Sequence, residues 1–330
     1  MAYQFENVKL DKGMYRNAGM SFSQVLELSD PSAQYKGTEL EGLDAFQRQL
    51  KRFDIKVKGP DSDCVEKFFR TADSAVLFPE YISRCVHQGM IEADILPNIV
   101  ATVTKVDGMD YRTITVETGN KGEMTVVAEG TEIPATTISA SSKLVSLKKR
   151  GRMLVASYEV IRHQKLDLFS ITLRQMGADI ARAQLGDAVE MLLENAQRIE
   201  NEYMDDLNYG DLVTMWTELL PYQMNTLLVS GDVMQRLLKM YELQNTYADT
   251  NFQNSGKLIT PMGATLLHCS ALPKGTAIAL DKRYAMEMVE NGGIVVEYDK
   301  LIDRQLERAS ITAIAGFAPM FMDAVRVVEI

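Results

Sequence analysis

The sequence predicts an α+β fold, and three observations carry that expectation. Residues 167–204 hold no proline and repeat apolar side chains at helical spacing over an unusual length. Residues 110–142 form a polar, β-branched excursion around the turn Gly119-Asn120-Lys121-Gly122, with little that could fill a core. Beyond Gly210, short helical and strand patterns alternate to the C-terminus. No run approaches the roughly 18 uninterrupted apolar residues of a membrane span, and MAYQFENVKL lacks the basic and apolar regions of a secretion signal. The expectation is a soluble chain with no membrane partner.

Residues 1–75 mix Gly, Asp, Ser and Lys with small apolar islands. Leu40, Leu43, Phe46, Leu50 and Phe53 predict one amphipathic helix over residues 39–53 inside an otherwise loose arm. Residues 1–60 carry 9 basic and 8 acidic side chains, whereas the whole chain is at -10, so the arm is electrostatically distinct. Such a segment has too little apolar surface to fold alone and needs something to lie against. Pro79 in a first turn and Gly89 just past an end predict a short helix over residues 78–89.

Residues 110–118 and 123–128 read as the two strands of a long hairpin, followed by a small, polar stretch, EGTEIPATTISASS. Strand character returns with KLVSLKKRGRMLVASYEV, through residue 160. An exposed excursion of this kind invites pairing on a monomer and makes sense if another chain covers it. The long helix is expected to start at an Asp167 cap and to span on the order of 55 Å, with Gly177 and Gly186 each weakening it by about 1 kcal/mol relative to Ala or permitting a bend. After it come a helix at 211–220, a strand at 224–229, a Ser230-Gly231-Asp232 turn, a helix over QRLLKMYEL and a polar loop at 244–257. Strands ATLLHC and TAIAL follow, then a hairpin MEMVENGGIVVEY turned at Asn291, Gly292 and Gly293, and two strands separated at Pro319.

Candidate chemistry is sparse. Cys64, Cys85 and Cys269 are too few for a disulfide framework and fit a reducing, intracellular origin. His87, His163 and His268 neighbour no nucleophile or metalloprotease pattern. Cys85, His87, His268 and Cys269 could supply four ligands, but positions 85 and 87 on one helix face different ways. The glycine clusters lack the spacing of a phosphate cradle, so no metal, cofactor or catalytic residue is expected. The 19 methionines read as adaptable core filler. The net charge disfavours a protein devoted to gripping phosphate backbones. Lys143, Lys148, Lys149, Arg150 and Arg152 concentrate positive charge; they meet acidic groups of a neighbouring chain or packaged nucleic acid, or they are gatekeepers on a solvated strand edge.

The block AEGTEIPATTISASSKLVSLKKRGRMLVASYEVI, leading into a helix that opens with Asp167 and Leu168, resembles the major capsid proteins of tailed bacteriophages, whose fold is named after phage Hong Kong 97. The specific part covers Val127 to Asn195: an acidic-Gly-small-Ile-Pro segment, a returning basic strand, and the step Ser157, Glu159, Val160, Ile161. A weaker likeness extends over residues 75–330. The resemblance implies an N-terminal arm (1–75), a P-domain entry with a short helix (76–106), an extended E-loop hairpin (107–143), a P-domain with the long spine helix (144–209), an A-domain (210–305) and C-terminal P-domain strands (306–330). It also implies copies of the chain in hexamers and pentamers, an icosahedral shell around double-stranded DNA bound without sequence specificity, portal and scaffolding or decoration proteins as partners, and assembly in the host bacterial cytoplasm.

Some family members weld subunits through an E-loop lysine. Aligned on AEGTEIP, that position falls near Ile133, with Lys121 and Lys143 elsewhere, so non-covalent assembly is expected. Intersubunit contacts are expected from Arg112, Lys121, Glu129 and Glu132 in the loop and from Lys148, Lys149 and Arg150 at its base. The alternative is an encapsulin-type compartment enclosing a cargo enzyme; the long segment before the recognisable region argues for the phage branch. A soluble enzyme is disfavoured because no three residues assemble into a mechanism.

Overall fold

Capped helices, rather than a loose arm, open the chain in the computed structural model, which is described for residues 4–16, 20–118, 126–131, 133, 135–199, 207–244 and 258–329. In chain order the elements are α1 (Phe22–Ser29), α2 (Ala45–Arg52), α3 (Ala72–Ala75), α4 (Phe78–Ala93), β1 (Thr102–Val106), β2 (Ile114–Thr118), β3 (Thr136–Ala140), β4 (Lys148–Ser157), α5 (Tyr158–His163), α6 (Leu166–Asn195) and β5 (Gln197–Ile199). There follow α7 (Tyr209–Glu218), β6 (Thr226–Val229), α8 (Gly231–Leu237), α9 (Tyr241–Gln244), β7 (Thr265–His268), β8 (Thr276–Leu280), β9 (Met286–Leu301), β10 (Leu306–Pro319) and β11 (Val325–Glu329). They form two compact units. The first comprises Met1–Ala93, Arg150–Ala181 and Ile294–Ala313; the second comprises Asp94–Lys149, Arg182–Gly293 and Ile314–Ile330.

In the first unit, Ser21, Asp44 and Thr71 cap α1, α2 and α3 through reciprocal bonds with Gln24, Gln47 and Ser74, satisfying backbone donors that a helix start leaves unpaired. The predicted 39–53 helix is therefore shorter, because Asp44 ends the preceding loop. Leu40 packs instead with Phe5 and Tyr35. Phe22, Leu26, Phe46, Leu50, Ile55 and Phe68 enter the same core as α4 and the first half of α6, so the loose arm of the sequence reading is an integral layer. Arg48 and Asp30, both fully buried, pair at 2.6 Å, and Tyr35 donates to the other Asp30 oxygen at 2.5 Å. The guanidinium also reaches the Leu43 and Asp30 carbonyls, so this buried charge is matched on every side.

Helix α4 runs four residues beyond Gly89, which lies inside it and not past its end. The reason is close packing. A Cβ on Gly89 would lie 2.0 Å from the Arg174 carbonyl oxygen, and one on Gly177 would lie 2.0 Å from that of Val86, so the α4 and α6 backbones touch. Gly177 is thus a packing notch, whereas Gly186 meets nothing within 4 Å. On the other side of this core, Ile294, Val296 and Tyr298 of β9, Ala309 and Ile311 of β10 and Leu154 of β4 face inward at period two.

The second unit holds a five-stranded sheet in the order β5-β11-β8-β6-β7. Leu228, Ile278, Leu280 and Val327 turn to one face, where Leu185, Ala188, Val189 and Leu192 of α6 cover them. Leu227, Val229, Ala277 and Ala279 turn to the other, under α7 and α8. A sheet covered on both faces reads as continuous apolar runs, which is why TLLV and TAIAL stand out in the sequence.

Several expectations need correction. The long helix ends at Asn195, giving 30 residues and about 45 Å, because Gln197–Ile199 leaves to pair in parallel with β11. Asp167 lies in its first turn rather than at its cap. The return strand of the hairpin is Thr136–Ala140, not 123–128, of which residues 126–128 are not strand and 123–125 lie outside the described residues. Strand β4 stops at Ser157, whose hydroxyl caps α5. The segment QRLLKMYEL is not one helix, since α8 starts at Gly231 and ends at Leu237. Residues 286–301 form one strand and not a hairpin: β1 lies parallel beside residues 287–291, while Gly292 and Gly293 take φ of 71° and 73° and let the chain bend onward. The reversal comes later, at Ile302–Arg304 with left-handed Gln305. The Gly119–Gly122 turn and most of the 244–257 loop lie outside the described residues.

Candidate functional site

The exposed ribbon of β2 and β3 is the feature the fold leaves unfinished. Its register pairs Ile114 with Ala140 and Thr118 with Thr136. Every side chain of β3 is exposed, and Ile114, Ile133 and Ile138 are each more than half exposed. A two-stranded ribbon whose described side chains are exposed in this way is at best marginal in water.

Its root, in contrast, is rigidly held. Glu287 is buried in β9, and its carboxyl oxygens accept from the Thr104 hydroxyl at 2.5 Å, the Tyr111 phenol at 2.7 Å and the Thr113 hydroxyl at 2.6 Å. Burial, then the bond to Glu287, pushes the Tyr111 phenol above its ordinary range. The Ser141 amide donates to the Thr113 carbonyl at 2.7 Å and the Val145 amide to that of Tyr111 at 2.8 Å. Arg112 bridges the two legs by donating to the Ser141 and Ser142 carbonyls at 3.2 and 2.8 Å. The arrangement is a lever: a fixed base carrying an uncovered blade.

Of the residues expected at intersubunit contacts, Arg112 therefore serves the root. Glu129 is exposed, and Lys121 and Glu132 lie outside the described residues. Lys148 binds Asp187 at 3.0 Å and Glu190 at 2.8 Å within its own chain, and the hydrogen bonds to Glu190 and Asp187 hold its ammonium above the ordinary range. Arg152 likewise pairs with Asp179 at 3.1 Å. Lys149 is exposed and Arg150 half-buried. Part of the basic cluster is thus matched by α6 of the same subunit, an arrangement neither reading of that cluster held. The sequence reading missed Glu287 and its three hydroxyl donors. The available signal was a glutamate at an inward position of the apolar run Met286–Val289.

Among the described residues no group of three or more His, Cys, Asp and Glu side chains is placed to hold a metal ion, and no helix is long and apolar enough to cross a membrane. Burial pushes the Cys85 thiol up to about 11 and raises that of Cys269, the opposite of an activated nucleophile. All three histidines are exposed.

A family model described as phage capsid protein matches residues 140–328, from the last residue of β3 into β11. The chain belongs to the phage capsid protein family. This capsid protein matches no curated sequence. Its fold is similar to that of several solved structures at low identity. The capsid of a native GTA particle is 14% identical, with 71% of this chain and 89% of that chain covered and a TM-score of 0.55. A chain of Gordonia phage Cozz is 14% identical, covering 72% and 86%, at 0.53. The holo-SrpI encapsulin complex of Synechococcus elongatus is 12% identical, covering 71% and 86%, at 0.51. The capsid protein thus has the Hong Kong 97-like fold, and its role is structural: it forms a shell.

Proposed function

We propose that this capsid protein assembles through hexamers and pentamers into an icosahedral phage head around double-stranded DNA, within the host bacterial cytoplasm, with portal and scaffolding or decoration proteins as partners. The observation that carries the reading is the uncovered β2–β3 ribbon on a stapled root. A blade of this kind gains its missing cover from a neighbouring copy, and repeated contacts between unlike surfaces close one chain into a wall. In this reading residues 107–143 are the E-loop, α6 is the spine of the P-domain, and residues 210–305 form the A-domain. Glu129 and Lys149, both exposed, contribute contacts between subunits. The net charge of -10 suits a container from which the genome must slide freely.

Electron microscopy of the purified recombinant protein tests this, with particles of uniform size expected. Ile138→Asp keeps the isolated subunit folded, because the side chain is exposed, and abolishes particles. A compact monomer at high concentration refutes the proposal. The fold shared with an encapsulin supports a second reading, a cargo compartment; a folded cargo protein co-purifying in place of DNA decides for it.

A further inference from the structure

The first unit holds a cavity of about 500 Å³ whose lining is aromatic and basic. The rings of Tyr15, Phe69 and Tyr298 line it, the last two stacked with centroids 5.9 Å apart. Lys12, Arg70 and Lys300 line it as well, and no acidic side chain does. Lys300 is partly committed, to Glu307 at 2.9 Å and over the Phe69 ring at 4.5 Å, whereas Lys12 and Arg70 are exposed and pair with no acid among the described residues. The acids beside these residues in sequence have other partners: Asp11 accepts from the Gly13 amide at 2.6 Å, and Asp299 pairs with Arg308 at 2.6 Å. Asp73 lies in the first turn of α3, outside the lining. Residues 16–19 add one arginine and no acid.

A loop of the opposite character joins β1 to β2 in the second unit. Asp107, Gly108, Met109 and Asp110 are all exposed, Met109 by 51%. Met109 is thus flanked in sequence by two carboxylates, and neither pairs with a base among the described residues. The nearest bases in sequence are Lys105, on β1, and Arg112, which is turned to the Ser141 and Ser142 carbonyls. The loop is held in place, since the Asn291 side-chain amide donates to the Gly108 carbonyl at 3.1 Å. Residues 100–118 are all described, so its surroundings in sequence are known.

We propose that the Asp107–Asp110 loop of one copy inserts into this cavity of a second copy of this chain, with the Met109 thioether against the rings of Tyr15, Phe69 and Tyr298 and the two carboxylates facing Lys12, Arg70 and Lys300. A methionine side chain is flexible enough to fill an irregular aromatic cavity, and its sulfur is attracted to aromatic rings. An apolar tip between two acids is what a cationic cavity with aromatic walls accepts, and the same cavity rejects a segment that carries Lys or Arg. Since loop and cavity are unlike surfaces, the contact is head-to-tail and repeats around a ring. The inference rests on the shell reading and adds to it one pair of surfaces that meet between subunits.

Charge reversal with rescue tests the contact, and the four positions changed are exposed, so the isolated subunits stay folded. Asp107→Lys with Asp110→Lys lowers particle yield about tenfold, Lys12→Glu with Arg70→Glu does the same, and all four changes together restore it. Met109→Cys combined with Arg70→Cys, treated as particles with a short bismaleimide, gives ladders of linked chains in SDS, where either single variant gives one band. An aspartate variant that assembles normally overturns the contact, as do losses that the combined variant leaves unrestored and a single band from the cysteine pair. Glu129→Lys, in the other exposed acidic and apolar stretch, is the competitor: if its loss is the one that the cavity variant rescues, the Asp107–Asp110 loop is not the occupant. Microscopy of the wild type separates these results from failure of the shell reading, because in all of them wild-type particles are present.

Discussion

Gly177 and Gly186, nine residues apart in α6, should respond to alanine with opposite sign. At Gly186 a new Cβ meets nothing within 4 Å, so Gly186→Ala gains the helix propensity difference of about 0.5–1 kcal/mol. At Gly177 the new Cβ would lie 2.0 Å from the Val86 carbonyl oxygen and 2.9 Å from the Met90 amide nitrogen. These are backbone atoms of α4, which cannot rotate away as a side chain tip would, so the helices must separate. Forced overpacking costs about 1–3 kcal/mol, more than the ~1 kcal/mol of propensity gained, and Gly177→Ala is a net loss. Gly89→Ala strains the same contact from the other helix, 2.0 Å from the Arg174 carbonyl oxygen. Once α4 has moved, the second alanine costs less than the first, so the pair is less destabilised than the sum. Urea unfolding of the unassembled subunit measures all four variants. A Gly177→Ala subunit as stable as the wild type, or strict additivity with Gly89→Ala, would refute backbone contact between α4 and α6.

Three further outcomes follow from the buried polar groups. Glu287→Ala leaves the Thr104, Tyr111 and Thr113 hydroxyls without their acceptor and costs about 2–4 kcal/mol; amide exchange should accelerate at Thr113 and Val145, and unchanged protection there counts against a stapled root. Arg48→Ala strands the fully buried Asp30 carboxyl and costs about 3–5 kcal/mol, exposing residues 20–55 to protease, whereas resistance equal to the wild type argues that the segment is held by other means. Burial pushes the Asp281 carboxyl up, but the Arg283 side chain, the Gln223 and Arg283 amides and Asn225 outweigh it and hold it at about 2. A depressed carboxyl contributes stability that is complete above its ordinary value and lost as pH falls, so the second unit should weaken from about pH 4 down to about pH 2. Asp281→Asn flattens that decline in urea midpoints, and an equally steep decline in the variant removes Asp281 as its source.

Much of the architecture was legible in local pattern. The long helix, the strands TLLV and TAIAL, the uncovered excursion before β4 and the final paired strand are all present near their expected places, because apolar periodicity and covered-sheet runs are properties of neighbouring residues. The basic cluster was also visible, although Lys148 and Arg152 find their acids in α6 of the same chain.

Other features were decided by residues distant in the chain. Asn291-Gly292-Gly293 is a turn signal by composition, yet β1 beside residues 287–291 keeps the strand running through it. Gly89 reads as a helix end and Gly177 as a weakness until α4 and α6 are seen touching at both. The apolar islands of residues 5–68 are too scattered to announce a fold, and become a layer only against the α4–α6 core. Glu287 lies 174 residues from Thr113, and no local pattern announces that pairing. The amino-acid order alone thus determined which segments are helical, extended or uncovered, since those follow from short-range sterics and solvation. The tertiary structure decided strand partners, the purpose of each glycine and the fate of buried charge, since these depend on which distant groups share the same dry space.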